Sequence, residues 1–207
     1  YTPGFLLAHR ADIKNLAAHN YGLEVSYEME KSESKWGAHY ASPIVGYGLL
    51  YYNFGREETG HALGGVVHVK LNVLSFEKSD LKFRMGAGVA YLTETFDVYD
   101  NKRNQAIGSH LNGSMQFGLV YHHVMRKKDY IEAGISISHY SNAAFKVPNL
   151  GYKIPSLTLR YGLGVGNADS VSIYKNSFSK HTDWRGTLIY GKKQRNFAKP
   201  KDFYNFG

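Results

Sequence analysis

The stretch "LKFRMGAGVAY", residues 81–91, shows the pattern that decides the fold. Its odd positions, from Leu81 to Tyr91, are apolar or aromatic, whereas its even positions, from Lys82 to Ala90, are charged or small. Successive side chains of a β-strand point to opposite faces, so this period of two predicts a strand with one apolar face. A run of about ten such residues is the length that a tilted strand needs to cross a bilayer.

The same alternation recurs along the chain and predicts about eight strands. They are expected at roughly 2–9, 20–31, 37–53, 63–76, 81–94, 109–125, 129–141 and 155–165. The links between them are alternately short, such as "KSD" and "RKK", and long, such as "TFDVYDNKRNQAIG". Outer-membrane barrels alternate short periplasmic turns with long outer loops. We therefore predict an all-β fold, an antiparallel transmembrane outer-membrane β-barrel with both ends on the periplasmic side.

A soluble sandwich or barrel would show the same alternation, with its apolar face turned inward. The membrane barrel is favoured by the length of the segments and by the tyrosines at the ends of their apolar faces, which suit the membrane interfaces. The polar face would then line the interior. It carries both signs of charge, with Glu24 and Glu28 against Lys70 and Arg84, which predicts an internal ionic network.

Composition narrows the classes of site. The 207 residues include no cysteine, which excludes disulfides and thiolate metal sites. The net charge of +8 could suit nucleic acid, but the basic residues are scattered, and no nucleic-acid partner is expected. The neighbouring histidines of "YHHV", residues 121–124, would point to opposite strand faces, so we expect neither a metal site nor another cofactor.

The alternation divides the chain into two parts. Residues 1–165 are expected to form the barrel, and residues 166–207 a C-terminal extension with further strands, or the start of additional strands of a larger barrel. The start "YTPGFLLAHR" lacks the basic and apolar regions of a signal peptide. We expect a chain of the bacterial outer membrane whose signal peptide has been removed.

A histidine and a serine interrupt the apolar face of the seventh strand. In "DYIEAGISISHYS", residues 129–141, His139 and Ser141 follow Ile135 and Ile137 on one face. Polar groups that face lipid are costly, which suggests a function there, although a strand end at the interface also accepts polar residues. Histidine can act as the base that activates a serine nucleophile, and the amide of the next residue, Asn142, could stabilise an oxyanion. The pair predicts a serine esterase that acts on lipid.

The stretch "HYSNAAFKVPNLG", residues 139–151, closely resembles the signature of the lipid A 3-O-deacylase (PagL) family. That signature has His-x-Ser-Asn-Ala, then Lys, Pro-Asn and Gly, and a weaker likeness extends over about 109–165. The stretch "IGSHLN", residues 107–112, resembles the Bacteroidetes-type branch of the family. The resemblance implies an outer-membrane barrel that removes an ester-linked acyl chain from the 3-position of lipid A, or lipopolysaccharide, without a metal or cofactor.

Carried over by position, the resemblance makes Ser141 the nucleophile and His139 the base. Asn142 and a backbone N–H near Ala144, where the family typically has glycine, would form the oxyanion hole. The family glutamate that orients the histidine falls at position 153, which is a lysine here.

A lysine at position 153 cannot accept the imidazole N–H, so another acid is needed or catalysis is weakened. The candidate substitutes are Glu94, Asp97 and Asp100, in the link after the fifth strand. The alternative hypothesis is a barrel that has lost efficient catalysis and serves as a structural or accessory subunit of an outer-membrane protein complex.

Overall fold

The computed structural model describes residues 1–7, 10–31, 37, 40, 42–125, 129–164, 190–194 and 202–206. The barrel strands are β1 Thr2–Leu6, β2 Ala18–Glu30, β3 Ile44–Asn53, β4 His61–Ser75, β5 Ser79–Leu92, β6 Leu111–Val124, β7 Tyr130–Ser141 and β8 Tyr152–Gly162. Each strand pairs antiparallel with the next, and β1 pairs with β8, which closes the barrel. The predicted all-β outer-membrane barrel is confirmed.

Three further elements complete the description. A 3₁₀ helix, Ala11–Leu16, lies between β1 and β2, and β9 Tyr190–Gln194 pairs with β10 Asp202–Phe206 in a separate two-stranded sheet. The barrel strands all lie within the predicted range 1–165, whereas the division of the chain at that point stays a prediction. No helix among the described residues is long and apolar enough to cross a membrane.

The predicted start of the third strand is wrong. The strand was expected from residue 37, but β3 begins at Ile44. Pro43 has no N–H to give to a sheet, and Ser42 has a φ of 59°, which an extended strand does not allow. The link 31–43 is consequently longer than the link 54–60 at the other end, so short and long links do not alternate strictly.

The apolar face of each strand points out of the barrel. Val25 is 79% exposed, Leu49 74% and Leu157 60%, although each lies near the middle of its strand. The alternate positions are buried and mostly polar. Apolar outside and polar inside is the arrangement of a barrel whose solvent is lipid.

Buried charges of both signs fill one half of the interior. Glu28 accepts hydrogen bonds from Lys70 Nζ at 2.9 Å and pairs with His68 Nε2 at 2.9 Å, and Lys70 also donates to Glu132 at 2.6 Å. Further pairs join Arg84 to Glu24, Arg160 to Glu24 and Glu132, and His122 to Glu132. The predicted internal ionic network is therefore present, with each charge satisfied by an opposite one.

The other half of the interior is an apolar plug at the end of the barrel opposite the short links 76–78 and 125–129. Phe54 packs edge-on against Tyr140 and Tyr152, with ring centroids 5.6 and 4.8 Å apart. The 3₁₀ helix contributes Ile13 and Leu16, both fully buried. Short turns mark the periplasmic end of such barrels, so the plug lies at the outer end. It anchors the ends of β7 and β8, where the candidate site lies.

Candidate functional site

His139 and Ser141 occupy the outer end of β7, on the outward face. They share this face with exposed Ile135 and Ile137, and both are themselves half-buried. On one side, Lys153 of β8 is the cross-strand partner of His139. The structure thus brings the predicted base and nucleophile to one place on the lipid-facing wall, in the register that the alternation indicated.

A backbone carbonyl holds the imidazole of His139. The ring nitrogen Nδ1 lies 3.1 Å from the carbonyl oxygen of Tyr152. The ring also packs against Gly151, whose φ is +74°: a Cβ built there would lie 2.6 Å from Cε1 of His139. A side chain at position 151 would therefore displace the imidazole as well as strain the backbone.

Asn142 ties the loop after β7 together. Its Nδ2 donates to Ser109 Oγ at 2.7 Å and to the carbonyl of Lys146 at 2.8 Å, which uses both amide hydrogens. Its backbone N–H donates to Asn149 Oδ1 at 3.0 Å. In this arrangement the side chain braces the loop. The predicted role in the oxyanion hole would require it to release one of these two contacts.

The next two residues form a tight turn beside the pair. Ala143 and Ala144 have φ values of 55° and 58°, and the N–H of Phe145 donates to the carbonyl of Asn142 at 3.1 Å. Positive φ at both central positions defines a type I′ turn, which normally contains glycine or asparagine. Such strain persists where the surrounding structure enforces it, and it is common at functional sites.

The three candidate acids lie in the loop 93–110. Glu94 is half-buried, and its side chain lies against Gly60 in the link between β3 and β4. Asp97 and Asp100 belong to one exposed turn, in which Asp97 Oδ1 accepts the N–H groups of Tyr99 at 2.7 Å and Asp100 at 3.0 Å. These backbone N–H groups hold the pKa of Asp97 below its usual range. Its carboxylate is thus ionised and already engaged.

An apolar groove of about 850 Å³ lies on the outward wall, toward mid-membrane from the pair. It begins at Ile137 and Pro155, the next outward residues along β7 and β8 from His139 and Lys153. The lining includes Phe5, Phe117, Leu119, Ile135 and Leu157. A groove with this composition can hold a hydrocarbon chain on the outward wall, starting two residues along β7 from His139.

Sequence reasoning missed the groups that support the pair. The carbonyl of Tyr152 is a main-chain group, so no side chain in the sequence points to it. The eighth strand was predicted to begin at residue 155, which placed Lys153 in a loop. The observed strand begins at Tyr152, which sets Lys153 directly opposite His139. Gly113, the cross-strand partner of Ser141 on β6, was also missed, although its position on an apolar face could have suggested a gap beside the nucleophile.

Comparison with known protein families identifies the family of this chain. The family model described as lipid A 3-O-deacylase (PagL) matches residues 19–163, which include the pair, the loop after β7 and most of the barrel. The resemblance of residues 139–151 to that family is confirmed, whereas its Bacteroidetes-type branch stays a prediction. A search of curated proteins and a search of solved structures returned no match.

Proposed function

Because the chain belongs to the lipid A 3-O-deacylase (PagL) family, we propose that it is an outer-membrane serine esterase that removes an ester-linked acyl chain from lipid A. The family and the closed barrel point to lipid A and to the bacterial outer membrane. The observation that carries the proposal is the outward placement of His139 and Ser141 on the lipid-facing wall, where the other outward residues of β7 are three isoleucines and Ala133.

Ser141 and His139 divide the proposed chemistry between them. Ser141 Oγ adds to the ester carbonyl carbon while its proton passes to Nε2 of His139. The bond from that carbon to the sugar oxygen then breaks, and the oxygen takes the proton from the imidazolium. Water attacks the acyl-serine by the same steps, which releases a fatty acid and restores both residues.

The negative oxygen of each tetrahedral intermediate needs donors, and the turn beside Ser141 offers two candidates. They are the backbone N–H of Ala144 and the amide of Asn142, if one of its loop contacts is exchanged for the oxyanion. A donor of this kind contributes about 10²–10³ in turnover. The apolar groove supports the proposal further, because it would hold the acyl chain while its ester lies at the interface.

The proposal predicts that Ser141→Ala and His139→Ala each abolish deacylation and that the double variant is little worse, because residues acting as one unit are not additive. Mass spectrometry of lipid A incubated with the purified protein measures the loss of an acyl chain. Ser138→Ala, a neighbouring serine on the inward face, is the matched control and should remain active. Activity that survives Ser141→Ala would place the chemistry elsewhere, and sensitivity to chelators would contradict a metal-free mechanism.

A second function is favoured by one residue, Lys153 at the position of the family glutamate. Under that reading the barrel is catalytically weak and serves as a structural or accessory subunit of an outer-membrane protein complex. Failure of the purified protein to release any fatty acid from lipid A, together with its co-purification with other outer-membrane proteins, would favour this reading over the esterase.

A further inference from the structure

We propose that the main-chain carbonyl of Tyr152 replaces the family acid as the group that orients His139. The inference rests on the proposed function, in which His139 is the base. In a serine hydrolase the third member of the triad holds the imidazole in the productive tautomer and orientation. Lys153 cannot do this, because an ammonium group has only donors.

The hydrogen bond to the carbonyl fixes the tautomer of His139. A carbonyl oxygen only accepts, so Nδ1 must carry the proton across the 3.1 Å contact. In the neutral ring Nε2 is then unprotonated and able to accept the proton of a serine. A side-chain amide at the same place could donate to Nδ1 and hold the wrong tautomer, a change that costs about 10⁴ in turnover in a serine protease. The carbonyl oxygen has no hydrogen to donate, so it cannot hold the wrong tautomer.

The carbonyl is held firmly enough to act as a positioning group. The Tyr152 side chain is 1% exposed, packs against Phe54 and donates from its hydroxyl to Asn104 Oδ1 at 3.0 Å. The peptide groups on either side are also fixed: the N–H of Gly151 donates to the carbonyl of Ala106 at 3.0 Å, and the carbonyl of Lys153 accepts the N–H of Leu7 at 2.9 Å.

The shape of the site supports the same assignment. Gly151 leaves the space that the imidazole occupies, since a Cβ there would lie 2.6 Å from Cε1 and 3.3 Å from Nε2 of His139. The imidazole ring is therefore confined by the backbone at Gly151 and hydrogen-bonded to the carbonyl of the next residue, Tyr152. A neutral carbonyl stabilises the imidazolium less than a carboxylate does, so the proposal implies a working but slower base.

Nitrogen NMR tests the proposal directly. The full chain, labelled with ¹⁵N-histidine and reconstituted in detergent micelles, is examined at a pH where His139 is neutral, and the His139→Gln variant identifies its signals. We expect a protonated Nδ1 and an unprotonated Nε2, in the native protein and in Lys153→Met alike. A proton on Nε2 would overturn the proposal. This measurement needs no activity, so its outcome is separate from that of the esterase proposal.

Substitutions at Lys153 test the proposal through enzyme kinetics. If the carbonyl already orients the imidazole, Lys153→Glu and the uncharged control Lys153→Met should change kcat by only a few-fold, provided that both variants fold as the native barrel does. If the site instead lacks its orienting group, Lys153→Glu should raise kcat by about 10² or more while Lys153→Met does not. That result would overturn the proposal and show that a carboxylate is the missing element.

Discussion

At the scale of single residues, the turn after Ser141 is strained although its two central residues are alanines. Ala143 and Ala144 both adopt positive φ, which costs an ordinary residue roughly 1–2 kcal/mol each. The related family typically has glycine at the position of Ala144. The strain is tolerated because Asn142 and Asn149 fix the loop around the turn.

Ala144→Gly should therefore stabilise the protein. Relief of the strain, about 1–2 kcal/mol, exceeds the entropic cost that a glycine adds through the unfolded chain, about 0.4–1 kcal/mol, so the free energy of unfolding should rise by up to about 1.5 kcal/mol. Denaturant unfolding in lipid vesicles measures the change. The control is Ala133→Gly, on the extended outward face of β7, which should lose stability. A similar loss in both variants would contradict a strained turn.

At the scale of the elements, the pairing between β6 and β7 decides which residue lies beside Ser141. Gly113 lies opposite Ser141, and a Cβ built there meets only the Ser141 carbonyl oxygen, at an ordinary 3.4 Å. The flanking outward residues of β6, Leu111 and Met115, are 64% and 47% exposed. The glycine thus leaves an opening in an otherwise apolar wall, and that opening adjoins the serine.

Gly113→Leu should close this opening while the barrel stays folded. The side chain would lie over the approach to Ser141 and misplace the ester, and such misplacement costs on the order of 10²-fold in kcat/KM. Lipid A deacylation measured against a soluble short-chain ester should show the larger loss for the bulky lipid. Gly65→Leu, on the outward face of β4 with its nearest atom at 3.9 Å, is the control and should remain active. Unchanged kinetics in Gly113→Leu would show that Gly113 does not control access to Ser141.

At the scale of the whole molecule, buried side chains of the described residues fill much of the barrel interior. Between Glu24, Arg84 and Gln116 the remaining cavity is about 10 Å³, which is room for at most about one water molecule. Above this ionic half the aromatic plug fills the outer end. A filled interior gives the strand ends of β7 and β8 a rigid support, and it leaves the outward wall as the surface that meets substrate.

A charged residue placed on the outward wall should show whether that wall faces lipid. Leu119→Arg, near the middle of β6 on the outward face, should cost roughly 2–4 kcal/mol in a bilayer, because the guanidinium would lie in hydrocarbon. Unfolding in lipid vesicles measures the cost. Tyr99→Arg, at an outer-loop position that is 88% exposed, is the control and should be neutral. The interior offers no mild control, since Gln116 already accepts from Arg84. Equal costs at both positions would mean that the wall does not face lipid.

The sequence by itself determined the barrel, the side of each strand that faces lipid, the placement of His139 and Ser141 on that side, and the family. All four follow from period-two alternation or from a short local motif, which are properties of neighbouring residues. The internal ionic network was predictable in kind for the same reason, because the charges already shared the polar face.

The tertiary structure alone decided how the site is supported. The register of β7 against β8 places Lys153 opposite His139. This register depends on where the loop 142–151 ends. Contacts with distant residues determine that point, for example the hydrogen bond from the N–H of Gly151 to the carbonyl of Ala106. The contact of Asn142 with Ser109, 33 residues earlier in the chain, likewise depends on the folding of distant segments. The Tyr152 carbonyl could not be read from any sequence, because every residue has one and only the packing around it decides which side chain it meets.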